Sequence, residues 1–189
     1  MAIAAMSTGC VVFPTHVYVA DAADGAPVYE RCSLNPDVPV GVRVDRPGLQ
    51  AIVSLVQERD GGFVAVRYDL AEHHTLQLLQ DVITIDARDG QPPRSAPVPH
   101  VNPSGPASHE PPAVLPGVLP VDATLQGARI RLGDVSFDRH YWIAGRFGGR
   151  IADDVRVTLP RFSLDAVPNE LPAIHFSRRA MIARGLFNC

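Results

Sequence analysis

The chain has 189 residues, enough for one ordinary domain or two small ones, and at 46% hydrophobic and 20% charged its composition is that of a folding protein. Its formal net charge is −3, with no basic surplus of the kind that marks a nucleic-acid partner. All 17 basic residues are Arg, a bias that fits codon usage in a GC-rich genome, and no apolar run approaches the ~20 residues of a membrane-spanning helix.

The first segment, Met-Ala-Ile-Ala-Ala-Met, is small and apolar, and Ser7-Thr8-Gly9 leads from it to Cys10. Small residues before a cleavage point are what a signal peptidase admits. The arrangement resembles the lipobox of bacterial lipoproteins, in which the Cys is acylated and becomes the new N-terminus. It departs from that pattern in having Ser7 where the family has an aliphatic residue. It also has no basic residue ahead of Cys10, as an internal start codon would produce. The resemblance implies that residues 1–9 are a signal-peptide remnant, that Cys10 carries the lipid, and that residues 10–15 form a tether. It further implies a membrane-anchored envelope lipoprotein. Val11 follows the Cys where such proteins carry Asp for inner-membrane retention, so the expected address is the outer membrane, facing the periplasm. With Cys10 acylated, Cys32 and Cys189 remain, an even remainder that suits a disulfide in an oxidising compartment.

From there the dominant period is two. Strand candidates are His16–Val19, Val28–Arg31, Val40–Val44, Ala51–Glu58, Phe63–Leu70, Thr75–Leu79 and Val82–Asp86. Beyond a gap come Ala128–Leu132, His140–Phe147, Val155–Leu159 and Ile174–Ser177. Arg59-Asp60-Gly61-Gly62 reads as a hairpin turn, with Asp and Gly supplying left-handed backbone, and Gly145–Gly149 reads as another. Ser54–Gln57 and Arg178–Arg184 could each form a turn or short helix. Two related segments, DAADGAP at 21–27 and DARDGQP at 86–92, read as turns rather than Ca²⁺ loops, since neither has EF-hand spacing. Ten of the 18 prolines fall in 91–120 (Pro92, Pro93, Pro97, Pro99, Pro103, Pro106, Pro111, Pro112, Pro116, Pro120), which predicts a long exposed loop. The expected fold is all-β: an immunoglobulin-like antiparallel sandwich over 16–189, interrupted by that loop.

Chemistry-bearing motifs are sparse. There is no Gly-x-Ser-x-Gly, His-Glu-x-x-His, Cys-x-x-Cys or phosphate-binding Gly loop. Glu72-His73-His74 is the densest cluster of the seven His. Its two His are weak metal candidates, because neighbours in a strand point to opposite faces whereas neighbours in a turn can converge. Trp142 is expected in the core and Tyr141 outside it. No cofactor is expected. The leading expectation is a non-enzymatic interaction or structural module held at the membrane by its lipid, meeting an envelope protein through an exposed edge strand or the proline-rich loop. The alternative is an envelope hydrolase or metal-dependent enzyme built from His73, His74 and Asp86.

Overall fold

The computed structural model describes residues 12–21, 25–29, 39–87, 89–104, 117–132 and 134–184. Cys10, Cys32 and Cys189 therefore lie outside the described residues, as do residues 1–9, the expected signal-peptide remnant. What is described is all-β, as the alternation of apolar residues requires, with no helix among the described residues.

The strands, in chain order, are β1 (Val12–Asp21), β2 (Ala26–Tyr29), β3 (Pro39–Arg46), β4 (Leu49–Glu58), β5 (Gly61–Leu70), β6 (Thr75–Leu78), β7 (Val82–Asp86) and β8 (Arg94–Pro97). They continue with β9 (Asn102–Ser104), β10 (Leu125–Gln126), β11 (Arg129–Leu132), β12 (Val135–Gly148), β13 (Asp154–Thr158), β14 (Phe162–Leu164), β15 (Val167–Asn169) and β16 (Ile174–Arg184). A seven-stranded sheet runs β11-β12-β5-β4-β3-β2, with β9 also paired to β12. A five-stranded sheet runs β1-β16-β13-β7-β8, and a smaller one β10-β6-β14-β15. Every pairing is antiparallel. The immunoglobulin-like strand order is not confirmed by this topology, in which β2 to β5 meander consecutively within one sheet.

One buried cluster joins the sheets in a sandwich-like arrangement. Val53, Val66 and Ile143 come from the large sheet, Ile83, Val157 and Phe176 from the five-stranded one, and Leu76, Leu125 and Phe162 from the small one. The cluster draws on strands from both sides of residues 91–120. At Gly145 the two larger sheets press close: an added Cβ would meet Ile83 and Ala96 side chains at 3.2 Å. Gly145 is thus an interior strand residue and not a turn, because glycine there makes room for the facing sheet.

Other local expectations change for similar reasons. Ser54–Gln57 lies in β4 and Arg178–Arg184 in β16, each recruited into a cross-strand ladder that a short polar run does not disclose. The β4–β5 turn has neither residue at positive φ. Its glycines serve close approach instead, since a Cβ on Gly61 would meet Phe147 O and one on Gly62 would meet Ile151 Cδ1, both at 2.3 Å. The left-handed turn is elsewhere, at Pro47-Gly48 between β3 and β4, where Pro and a glycine at φ 77° fit a type II turn. At 86–92 the turn reading holds for what is described: Gly90 has φ 82° and Gln91 N–H donates to Asp89 Oδ1 at 2.9 Å. The proline-rich stretch is not all loop, since β8 and β9 lie within it and Val101 pairs with Leu119. Proline is admitted there because these are strands with one neighbour. Pro14, Pro27, Pro97, Pro103 and Pro168 all stand in such strands, and Pro39 is the first residue of β3.

One end of the molecule gathers several connections. Tyr18 OH donates to Ile151 O at 2.9 Å, with Ala152 O at 3.0 Å, and Ile151 N–H donates to Gln57 Oε1 at 2.9 Å beside the β4–β5 turn. The pair Gly41↔Ser54 puts the start of β3 at this same end. The β1–β16 ladder continues past it: β13 pairs with β16 only between Ile174 and Ser177, whereas β1 pairs on to Val12↔Arg184. Residues 12–15, expected as tether, are therefore strand, because β16 supplies them with backbone partners.

Candidate functional site

Backbone strain is concentrated at one corner. The only described non-glycine residues at positive φ are His73 (72°), Asp165 (52°) and Ala166 (64°), and Gly48 (77°) adjoins them. Asp165-Ala166 is the two-residue turn of the β14–β15 hairpin. Left-handed backbone at both places matches a type I′ turn, at a cost for Ala166 of about 1–2 kcal/mol. Such strain persists only where surrounding contacts over-determine it.

Those contacts converge on His74. Its Nδ1 is 2.7 Å from Asp165 Oδ2. The other carboxylate oxygen accepts from Thr75 N–H at 2.8 Å, and Asp165 N–H donates back to Thr75 O at 2.9 Å. The backbone of the corner is tied by Ala71 N–H to Gly48 O (3.0 Å), His74 N–H to Ala71 O (3.2 Å) and Gly127 N–H to His74 O (2.8 Å). Gly48 lies against the imidazole face, where a Cβ would come within 2.5–2.6 Å of three ring atoms. Thr75 N–H first, and then His74, hold the Asp165 carboxyl below the usual carboxylate range. With Nδ1 facing the carboxylate, Nε2 is the nitrogen left to accept a proton or a ligand.

The sequence-nominated residues divide accordingly. His73 and His74 do lie in a turn, the case in which neighbours can converge. His74 meets Asp165, 91 residues away, and not Asp86, which lies in β7 opposite Arg156. Among the described residues no group of three or more His, Cys, Asp or Glu gathers as a metal site. No local pattern pointed to Asp165, since Ser-Leu-Asp-Ala-Val resembles any polar turn.

A second constellation lies on the outer face of the large sheet. Arg67 Nη2 bonds Asp69 Oδ2 at 2.8 Å. His140 Nδ1 stands 2.7 Å from Asp69 Oδ1, an ion-pair distance at angles outside those of a hydrogen bond. Phe137 stacks on the His140 ring at 5.8 Å, and the Arg67 guanidinium lies 5.9 Å over Trp142. Trp142 is thus on the outer face, half-buried, while Tyr141 is in the core; the expected orientation of the pair is reversed. The reason is parity: Tyr141, Ile143, Gly145 and Phe147 share the inward face, and Tyr141 OH finds partners in Gln126 O (2.7 Å) and Gln126 N–H (3.2 Å).

No protein-family model, no curated protein and no solved structure matches this chain.

Proposed function

We propose that the chain is a membrane-anchored bacterial envelope lipoprotein, acylated at Cys10 and resident in the outer membrane on its periplasmic side. Its β-sandwich acts as a non-enzymatic interaction or structural module. The observation that carries this reading is the start of β1 at Val12, two residues after Cys10. A span of two residues is at most about 7 Å, so acyl groups on Cys10 would hold the folded domain directly at the bilayer. Several acyl chains suffice for stable anchoring where one is marginal. A Cys32–Cys189 disulfide belongs to the same reading. The last residue of β2, the first of β3 and the C-terminal end of β16, from which the chain leads to Cys32 and Cys189, lie at the same end of the sandwich.

The geometry favours a sheet face over an edge as the partner surface. Proline in five strands with a single neighbour removes N–H donors that strand addition would need. The outer face of β4, β5 and β12 instead offers half-buried Ile52, Ala144 and Trp142 beside the Arg67–Asp69 pair, an apolar centre with a polar rim. The test is intact mass and fractionation of protein expressed with its upstream region. Expected are acyl mass on Cys10, loss of two hydrogens for the disulfide, and release from membranes by Cys10→Ala. Unmodified Cys10 in a protein that still fractionates with membranes overturns the anchor.

The His74–Asp165 pair favours a second reading, hydrolysis with His74 as general base. That reading predicts that His74→Gln abolishes ester cleavage measurable in the wild type; equal rates remove it.

A further inference from the structure

We propose that β11 is a strand-addition edge that receives an extended acidic segment of a partner protein. The proposal rests on the interaction-module reading. It adds a second contact, apart from the outer sheet face, and the chemistry of what docks there.

Among the described residues seven strands have a single neighbour: β1, β2, β8, β9, β10, β11 and β15. Five of them contain proline, and β10 is two residues long. β11, Arg129-Ile130-Arg131-Leu132, is the exception that keeps an unbroken backbone edge. Its hairpin with β12 also runs past the last β5 pairing, Arg139↔Leu70, so that residues 135–138 pair with β11 alone among the described residues.

The ladder fixes which groups face outward. Arg139 N–H donates to Ala128 O at 2.9 Å, which makes Ala128 and Arg139 a hydrogen-bonded pair. Antiparallel pairs alternate, so Ile130 and Leu132 bond β12, while the N–H and C=O of Arg129 and Arg131 point away from it. Among the described residues no backbone group takes them up.

The side chains select the occupant. Arg129 and Arg131 are exposed and, two residues apart, share one face of β11. Arg129 is paired with Asp138 at 2.9 Å, whereas Arg131 stands opposite Ser136 and has no carboxylate partner among the described residues. An added antiparallel strand with Asp or Glu opposite Arg131 supplies that charge, and directly opposed residues of opposite charge stabilise paired strands. A second copy of this chain is the wrong occupant: two-fold pairing of β11 with itself, centred on Ile130 or on Arg131, sets Arg against Arg.

The test is fluorescence anisotropy of a short, capped, labelled peptide alternating Val and Glu, titrated with the full chain. Expected is saturable binding, stronger than that of the same peptide with Lys for Glu, and lost when alternate peptide nitrogens are methylated. Arg131→Glu is expected to weaken the Glu peptide about fivefold or more and to reverse the preference. Arg131→Pro, which removes an outward N–H and leaves the β12 ladder its donors, abolishes binding of both peptides; circular dichroism confirms that each variant folds. No saturable binding, equal binding of the Glu and Lys peptides, or undiminished binding of the methylated one overturns the inference. So does a wild-type dimer in sedimentation that Arg131→Pro dissolves, since the edge then belongs to a second copy. Binding kept in Arg131→Pro but lost in Trp142→Ala moves the contact to the sheet face, which overturns the edge and leaves the module reading standing.

Discussion

Asp165 Oδ2 and His74 Nδ1 meet at 2.7 Å across 91 residues of sequence, and the meeting holds together three connections: the β3–β4 turn, the β5–β6 loop and the β14–β15 hairpin. Gly48 is the member that admits no substitute. Its φ of 77° disfavours any side chain, and the space a Cβ needs is occupied by the His74 ring. Gly48→Ala is expected to cost about 2 kcal/mol or more in urea unfolding. In Gly48→Ala/His74→Ala the clash is gone and only the backbone cost remains. The double variant therefore recovers part of the loss, a positive coupling that a double-mutant cycle measures. Additive losses would mean the ring is not held against Gly48.

The same corner carries a pH dependence. The Asp165 carboxyl is held low by Thr75 N–H and then by His74, and Asp153 is held low by Arg150 and then Arg178. A carboxyl with a depressed folded-state value binds its proton more readily when unfolded. Its stabilisation is present above the unfolded value, about 4, and is lost as pH falls through the folded one. Wild-type stability is expected to drop between about pH 5 and pH 2, and Asp165→Asn to flatten that drop. Denaturant titrations at several pH values check this; an unaltered acid limb in both Asp165→Asn and Asp153→Asn would refute the assignment.

Two buried tyrosines make opposite predictions. Tyr68 is wholly buried against Phe162, its ring centroid 6.2 Å away, and its hydroxyl has no hydrogen-bond partner among the described residues. Burial alone pushes its phenol well above the ordinary value. Tyr18 is also buried, but its hydroxyl bonds Ile151 O and closes the end of the sandwich. Removing an orphaned hydroxyl relieves a desolvation penalty of about 1–3 kcal/mol, whereas removing a bonded one leaves a carbonyl unsatisfied. Tyr68→Phe is expected to leave stability unchanged or raise it, and Tyr18→Phe to lower it by about 1–2 kcal/mol. Thermal unfolding of the two variants gives the comparison.

What the sequence discloses here is what alternation can carry. The apolar period of two at Val40–Val44, Ala51–Glu58, Phe63–Leu70 and Val155–Leu159 reappears as β3, β4, β5 and β13. It does not disclose β8, β9 and β15, because proline and shortness mask strands that have one neighbour. Nor does it disclose the β14–β15 turn: nothing in Ala166 asks for positive φ, and only the tertiary hold of His74 and Thr75 on Asp165 fixes it. The candidate corner was half legible, through His73-His74. Its partner was not, because contacts spanning 91 residues leave no local pattern. The helical alternative at Ser54–Gln57 failed for the complementary reason, since local propensity is weak against a ladder formed on both sides.

Tyr141 and Trp142 show how one unit of parity decides a residue's role. The larger aromatic was the natural core choice by area alone. The inward row of Ile143, Gly145 and Phe147 puts Tyr141 in the core, and Gln126 satisfies its hydroxyl in both directions. Trp142 goes outward, under the Arg67 guanidinium. Tyr141→Phe is therefore expected to cost about 1–2 kcal/mol, by stranding the Gln126 backbone groups and loosening β10. Trp142→Phe is expected to cost less than about 1 kcal/mol, the worth of a partly exposed cation–π contact and some lost area. Since Trp142 is the only tryptophan, its fluorescence reads the outer face directly. Acrylamide quenching in folded protein should be appreciable and should respond to Arg67→Ala. A fully shielded indole, together with a larger stability loss for Trp142→Phe than for Tyr141→Phe, would reverse the facing and move the apolar centre of the proposed contact surface into the core.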